Sequence, residues 1–457
     1  MRSKKGAKYI ITFLLICIIL FTAINADAAL TFDTVRVVLA RQAGSFDFKI
    51  DGDYQLVNLS TGKIITKLRK NEKWQVKLQA GQMEFQSPGG NFGSFSGPVA
   101  VQEVKNHVNI ISESRGVADR STSDLSALNA KGKAVMLFDN TSLFVKSAQD
   151  KKALTTGGGL NLISLLEGSE YGRYRGSIEF RFDDGNLMAI NELNIEDYLR
   201  GVVPAEMPSS WPAEALKAQA VVARNYALQK VEATKGQSYN LTNDQFSQVY
   251  HGYDAESPAA DQAIEDTRGI VMLNRGNLIS AFFHSSSGGY TENSEDVWSN
   301  PLPYIKHKDD PYDKNGQHYN WQVNYTTSQL VEQLKAAGYI FKEITDIDEL
   351  ARTASGARVK KLAVNGIGPD GKPLHVEISN ADNVRIALGL KSALFTLNKV
   401  YDKEKKLAGV NISGSGWGHG LGLSQWGACG MARQGYNYQD ILKYYYTDIN
   451  FASSYGR

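Results

Sequence analysis

The sequence predicts an α+β fold, in which a β-rich N-terminal region leads into a mixed domain that carries the functional residues. Three observations point there. Apolar and polar residues alternate from Thr34 to about Phe95, the period of half-buried strands. A run of strong helix formers follows Pro212. Short strand and helix patterns then interleave to the C-terminus. With 457 residues, 42% hydrophobic and 21% charged, the chain is long enough for two or three domains and too apolar to be disordered.

At the N-terminus, Arg2, Lys4, Lys5 and Lys8 precede an apolar stretch from Tyr9 to Ile24, and Ala26-Asp27-Ala28 supplies small residues at a cleavage position. This reads as a secretory signal peptide over residues 1–28. The apolar stretch is about 15 residues, short of the roughly 20 that span a bilayer, although an uncleaved anchor would leave the protein on the same extracytoplasmic side. Residues 29–173 form the β-rich region, with strands at 35–39, 46–50 and 74–78 joined by turns such as Asp51-Gly52-Asp53. Further strands are expected at 108–111 and 134–137, and a connector around residues 120–129. Residues 174–457 form the second domain. It opens with a hairpin, 174–181 and 187–190, around Asp183-Asp184-Gly185-Asn186, and runs into a short helix capped by Asn194. A longer helix spans 213–233, started by Pro212, with Leu216, Ala220, Ala223 and Ala227 as its packing stripe. Strands near 278–283 and 375–378 and helices near 328–337, 380–388 and 439–445 complete the pattern.

Charge and cysteine content exclude several functions. The net charge is +2, too balanced for nucleic acid, which needs a dense positive field. Without residues 1–28 the chain carries 46 basic and 47 acidic side chains, so bulk charge gives it no hold on an anionic partner. Two cysteines make neither a disulfide scaffold nor a Cys-rich zinc module.

The chemistry is expected in Gly201-Val202-Val203-Pro204-Ala205-Glu206-Met207-Pro208-Ser209-Ser210-Trp211-Pro212. Three prolines suggest a rigid loop between two helices. A carboxyl held there beside Met207 and Trp211 is disfavoured in its charged form, so its pKa rises toward that of a general acid. On the residues alone, a surface glutamate beside a helix start is the plainer account of Glu206.

The run from Asn194 to Pro208, continuing through Trp211–Val221, closely resembles the SpoIID/LytB family, which contains stage II sporulation protein D and the amidase enhancers. Asp244–Tyr250, Phe283–Glu292 and Ser415–Ala428 are similar to the family as well, so the resemblance covers roughly 235 residues in order. It implies a catalytic domain with a glycan groove and lytic transglycosylase chemistry on the MurNAc-GlcNAc strands of peptidoglycan. Glu206 would be the single catalytic acid/base, and the role would lie in sporulation or wall remodelling. One carboxylate suffices if the C6 hydroxyl of the muramoyl sugar serves as internal nucleophile, whereas ordinary glycosidases use two. The alternative within the family is a wall-bound, non-catalytic enhancer of an N-acetylmuramoyl-L-alanine amidase, with the β-rich region as its binding module.

Other residues carry paired readings. Arg224, with Tyr226 behind it, either orients the carboxylate and binds sugar or makes a structural ion pair. His284 and Ser287 suit a glycan-lining loop better than a serine nucleophile, since Gly-x-Ser-x-Gly is missing. Some relatives hold zinc here and near Gln248-Val249-Tyr250. This chain has Ser247 and Ser285–Ser287 at those places, so no metal and no cofactor is expected. Glycine at every second position from Gly414 to Gly422 allows a close backbone approach. From that stretch Trp417, His419 and Gln425 project as sugar contacts, with His419 equally a core histidine and Trp426 a core anchor. The tyrosines at 436, 438 and 444–446 read as packing, and Cys429 as a small buried residue.

Overall fold

The computed structural model describes residues 34–104, 160–244, 247–298 and 300–453, together with short strands between 108 and 143. The expected export segment lies outside the described residues. Strands β1 (Thr34–Gln42), β2 (Ser45–Asp51), β3 (Tyr54–Asn58), β4 (Lys63–Lys67), β5 (Trp74–Gln79), β6 (Gln82–Ser87), β7 (Gly90–Phe95) and β8 (Val99–Glu103) follow one another with tight turns. The short strands include Val108–Ser112 and Ala134–Met136, and Ser126–Leu128 pairs with the latter inside the stretch expected as a connector. Four more strands follow: β9 (Leu162–Glu167), β10 (Glu170–Tyr174), β11 (Ser177–Asp183) and β12 (Asn186–Asn194).

These strands build two packed sheets. One runs β10-β9-β2-β5-β6-β7. The other runs β13-β1-β12-β11-β8-β3-β4, where β13 is Leu241–Thr242. Alternation buries one face of each sheet. Phe180 of β11 meets Phe48 and Phe46 of β2 at 5.3 and 5.8 Å and Phe85 of β6 at 6.0 Å. The division expected at residue 173 therefore cuts through one shared core, because β11 and β12 sit between β1 and β8. Periodicity identifies strands but not their partners.

Helix α1 (Ile195–Glu206) leaves β12 directly, and the Asn194 side chain accepts from Glu196 N–H at 2.9 Å. Helix α2 (Ala213–Ala233) buries Leu216, Ala220, Ala223 and Ala227 as expected, and also Val221, Val222 and Gln219. It is buried on most of its circumference because α1, α3 (Pro258–Asp266) and two C-terminal helices all pack on it. Its alanines allow those backbones to approach closely.

Residues 321–414 fold around a second core that includes Leu330, Leu334, Ile347, Leu362, Val364 and Phe395. It holds α4 (Thr327–Ala336), α5 (Ala381–Ala387) and two three-stranded sheets. Trp321 pairs with Gly414 across antiparallel strands. The chain thus enters and leaves this module side by side, the geometry of an insertion. After it come α6 (Gln425–Arg433) and α7 (Tyr438–Tyr445). Among the described residues no helix is long and apolar enough to cross a membrane.

Candidate active site

Glu206 is the last residue of α1, not part of a loop. Pro204 lacks the N–H that would bond one turn back, yet burial of Leu199, Val202 and Val203 carries the helix past it. The Met207 N–H closes the last turn on the Val203 carbonyl at 2.9 Å. Only Met207–Pro212 remains irregular. The prolines still act as rigid spacers, but one of them does so from within a helix.

The half-buried Glu206 carboxyl accepts from Val249 N–H through Oε1 at 3.0 Å. That irregular segment is pressed on α1 at Gly201, where a Cβ would lie 2.6 Å from Tyr250 Cε2. The Gln425 amide donates to the Glu206 carbonyl oxygen at 3.0 Å. Burial raises the Glu206 pKa above its ordinary value, while the Val249 N–H and the Gln425 amide pull the other way. A helix C-terminus, where carbonyl dipoles point outward, adds to the penalty on a negative charge. Tyr226 of α2 lies close enough that its own pKa rises, through burial and then through the Glu206 charge. Beneath them, buried Tyr198 donates to Gln248 Oε1 at 3.2 Å. Trp211 and Trp426 meet at 4.8 Å, both half-buried.

Two distant stretches meet next to Gln425. Phe283–His284 pairs in parallel with Leu423–Ser424, and Trp426 N–H donates to the Ser285 carbonyl at 3.0 Å. Ser286 and Trp417 exchange backbone hydrogen bonds at 3.0 and 2.8 Å. Gly416, Gly418, Gly420 and Gly422 all have positive φ, and a side chain there would strike the protein itself. At Gly418 a Cβ would lie 2.6 Å from His284 Cβ, and at Gly420 it would overlap the Arg358 guanidinium. The glycine pattern therefore seats this loop on its own chain.

Comparison with known proteins follows the same residues. The family model described as stage II sporulation protein matches residues 183–273, which include α1, Glu206 and α2. A second model, a domain of unknown function (DUF8618), matches residues 292–422. Stage II sporulation protein D of Bacillus subtilis is 31% identical over 287 residues, covering 58% of this chain and 77% of that protein. The chain belongs to the SpoIID family. An uncharacterized protein of Brachyspira hyodysenteriae is 32% identical over 286 residues, 61% of this chain and 72% of that protein. The amidase enhancer of Bacillus subtilis is 33% identical over 300 residues, 56% of this chain and 40% of that one.

Within this SpoIID-family site, Glu206, Tyr226 and Gln425 come together. Arg224 does not join them: its guanidinium binds Glu196 at 2.8 and 2.6 Å and the Ile270 carbonyl at 3.2 Å, fully buried. It locks α2 to α1 and is unavailable to sugar. Ser287 is also buried, donating to Asp310 at 2.8 Å. His284 is buried with Nδ1 on the Leu421 carbonyl at 3.1 Å, and burial holds its pKa well below the ordinary value. These three are corrected to structural roles, because each polar stretch folds against a partner invisible in sequence. His419 is half-buried against Trp298 at 4.8 Å, its pKa lowered by burial to about 4. Trp417 is 44% exposed, flanked by His318 at 4.3 Å and by Lys391.

The residues at the candidate zinc positions do not suit that ion. The Ser286 and Ser287 hydroxyls bond carboxylates, Ser247 bonds Thr242, and His251 is exposed apart from them. Among the described residues no group of three His, Cys, Asp or Glu is placed to hold a metal ion. Sequence reasoning missed the Val249 amide, since a backbone donor has no side-chain signature. It also missed the buried pair Asp310 and Asp313. Burial and then Asp313 push the Asp310 pKa up to about 7.

Proposed function

We propose that this protein is a lytic transglycosylase acting on MurNAc-GlcNAc strands of peptidoglycan on the extracytoplasmic side. The observation that carries this reading is the Glu206 carboxyl. It is half-buried and raised in pKa, with a backbone N–H and an amide as its polar neighbours and no carboxylate among the groups that act on it. Glu206 donates its proton to the glycosidic oxygen as the bond to the muramoyl C1 breaks. The resulting carboxylate then takes the C6 hydroxyl proton as that oxygen closes on C1, giving a 1,6-anhydro end and restoring the acid. The Val249 N–H steadies the carboxylate between the two steps. Tyr226, Trp211 and Trp426 offer hydroxyl and aromatic surfaces for sugar rings. The test is incubation of the chain lacking residues 1–28 with peptide-free glycan strands, with products read by mass spectrometry. Wild type gives 1,6-anhydro ends and Glu206→Gln gives at most a trace; equal yields from both sink the proposal.

The amidase enhancer relative supports a second reading, in which the chain binds the wall and activates an N-acetylmuramoyl-L-alanine amidase. The two-sheet body built on β1–β12 would then be the binding module. Release of no anhydro sugar, with a raised rate of added amidase, selects this reading.

A further inference from the structure

At the end of α6 away from Gln425 lies a cleft of about 520 Å³ that the site above does not use, lined by Tyr312, Lys314, Asn315, Gly430, Arg433 and Gln434. Lys314 and Arg433 are exposed, and neither has a carboxylate within ion-pair distance among the described residues. The cleft is rigidly built. A Cβ at Gly430 would overlap the Tyr312 carbonyl, so the turn at 311–315 rests directly on the helix. From below, the turn is tied by Asp310 to Ser287 and Tyr445 at 2.8 and 3.0 Å, and by Asp313 to Ser286 and Gly288 N–H at 2.7 Å each. The Tyr312 ring is set edge-on against Tyr436 at 5.7 Å and Tyr444 at 5.5 Å. The tyrosines expected as packing thus also orient a ring that lines an open cleft.

We infer that this cleft is a second sugar site, selective for an N-acetylated sugar that bears a carboxylate. The functional groups match that class. An aromatic ring suits a sugar face, two amides suit hydroxyl and acetamido groups, and two unpaired cations on separate elements suit a carboxylate. The inference rests on the glycan reading above and adds an anion preference to it. Arg433 and Gln425 belong to one helix, eight residues apart, or about 12 Å along its axis. One strand could therefore touch both sites, with the cleft setting which sugar reaches Glu206.

The test uses the chain lacking residues 1–28 and carrying Glu206→Gln, titrated calorimetrically with two tetrasaccharides. One is peptide-free MurNAc-GlcNAc, whose lactyl carboxylates are free; the other is chitotetraose, which has none. The muramoyl oligomer is expected to bind about tenfold tighter, the scale of one charge-assisted contact. Adding Lys314→Gln and Arg433→Gln, both exposed, should remove that preference with the unfolding temperature unchanged. Equal binding of the two oligomers, binding of neither, or a preference that survives the double substitution overturns the inference. Cleavage is scored separately. Loss of anhydro products with the preference intact defeats only the catalytic reading, and the reverse result defeats only this one.

Discussion

Glu206 and Asp310 both have raised pKa values, and their surroundings differ in access. Glu206 is half-buried at a helix end, with Oε1 on a backbone N–H. Asp310 is fully buried under Ser287 and Tyr445, with Asp313 beside it. Burial is the leading cause of both shifts. A raised pKa therefore does not by itself mark a catalytic acid. Access does, because a proton must reach a substrate oxygen. Asp310 is sealed inside the fold, whereas the Glu206 residue is partly open to solvent.

The comparison breaks most sharply on Glu206→Gln. We expect transglycosylase activity to fall by about 10²–10⁴-fold, the scale of a lost general acid, with the unfolding temperature little changed. Next comes Arg224→Ala, which strands the buried Glu196 carboxyl. It should lose ~3–5 kcal/mol of stability in denaturant titration, and the double variant with Glu196→Leu should regain most of it. Asp310→Asn sharpens the contrast through pH. The folded state raises the Asp310 pKa from 3.8 to about 7, so it binds the proton more tightly than the unfolded chain does. That stabilisation is full below the lower value and is lost as pH rises to the upper one. Wild-type thermal stability should decline across this window, and Asp310→Asn should flatten the decline while retaining cleavage. The smallest effect is expected from Gln425→Leu. The Gln425 amide lowers the Glu206 pKa, so removing it should move the alkaline limb of the rate profile up by about half to one pH unit.

Much of the fold was legible where one periodicity ruled. The strands of β1, β2 and β5, the Asn194 cap, and the span and buried stripe of α2 all follow from local pattern. The helical path through Pro204 was not legible, because the tertiary burial of Val202 and Val203 overrides a local breaker. Nor was the shared core across residue 173, since strand partners are set by register over long separations. For the site, Glu206, Tyr226 and Gln425 were readable from motif. Arg224, His284 and Ser287 belong to equally recognisable motifs, yet their partners Glu196, Leu421 and Asp310 decide their roles.

The hydrogen bond from Gln425 to Glu206 spans 219 positions, with the separately cored module between them. In a chain synthesised at about 5–20 residues per second, on the order of 10–40 s separate the emergence of the acid from that of its amide. Throughout that interval α1 and α2 can form, but Glu206 lacks Gln425 and Trp211 lacks Trp426. Formation of the site is thereby a late event in the life of the chain, and a product cut short before α6 would carry the acid without its setting. Chain order itself acts as a delay on assembly of the candidate site.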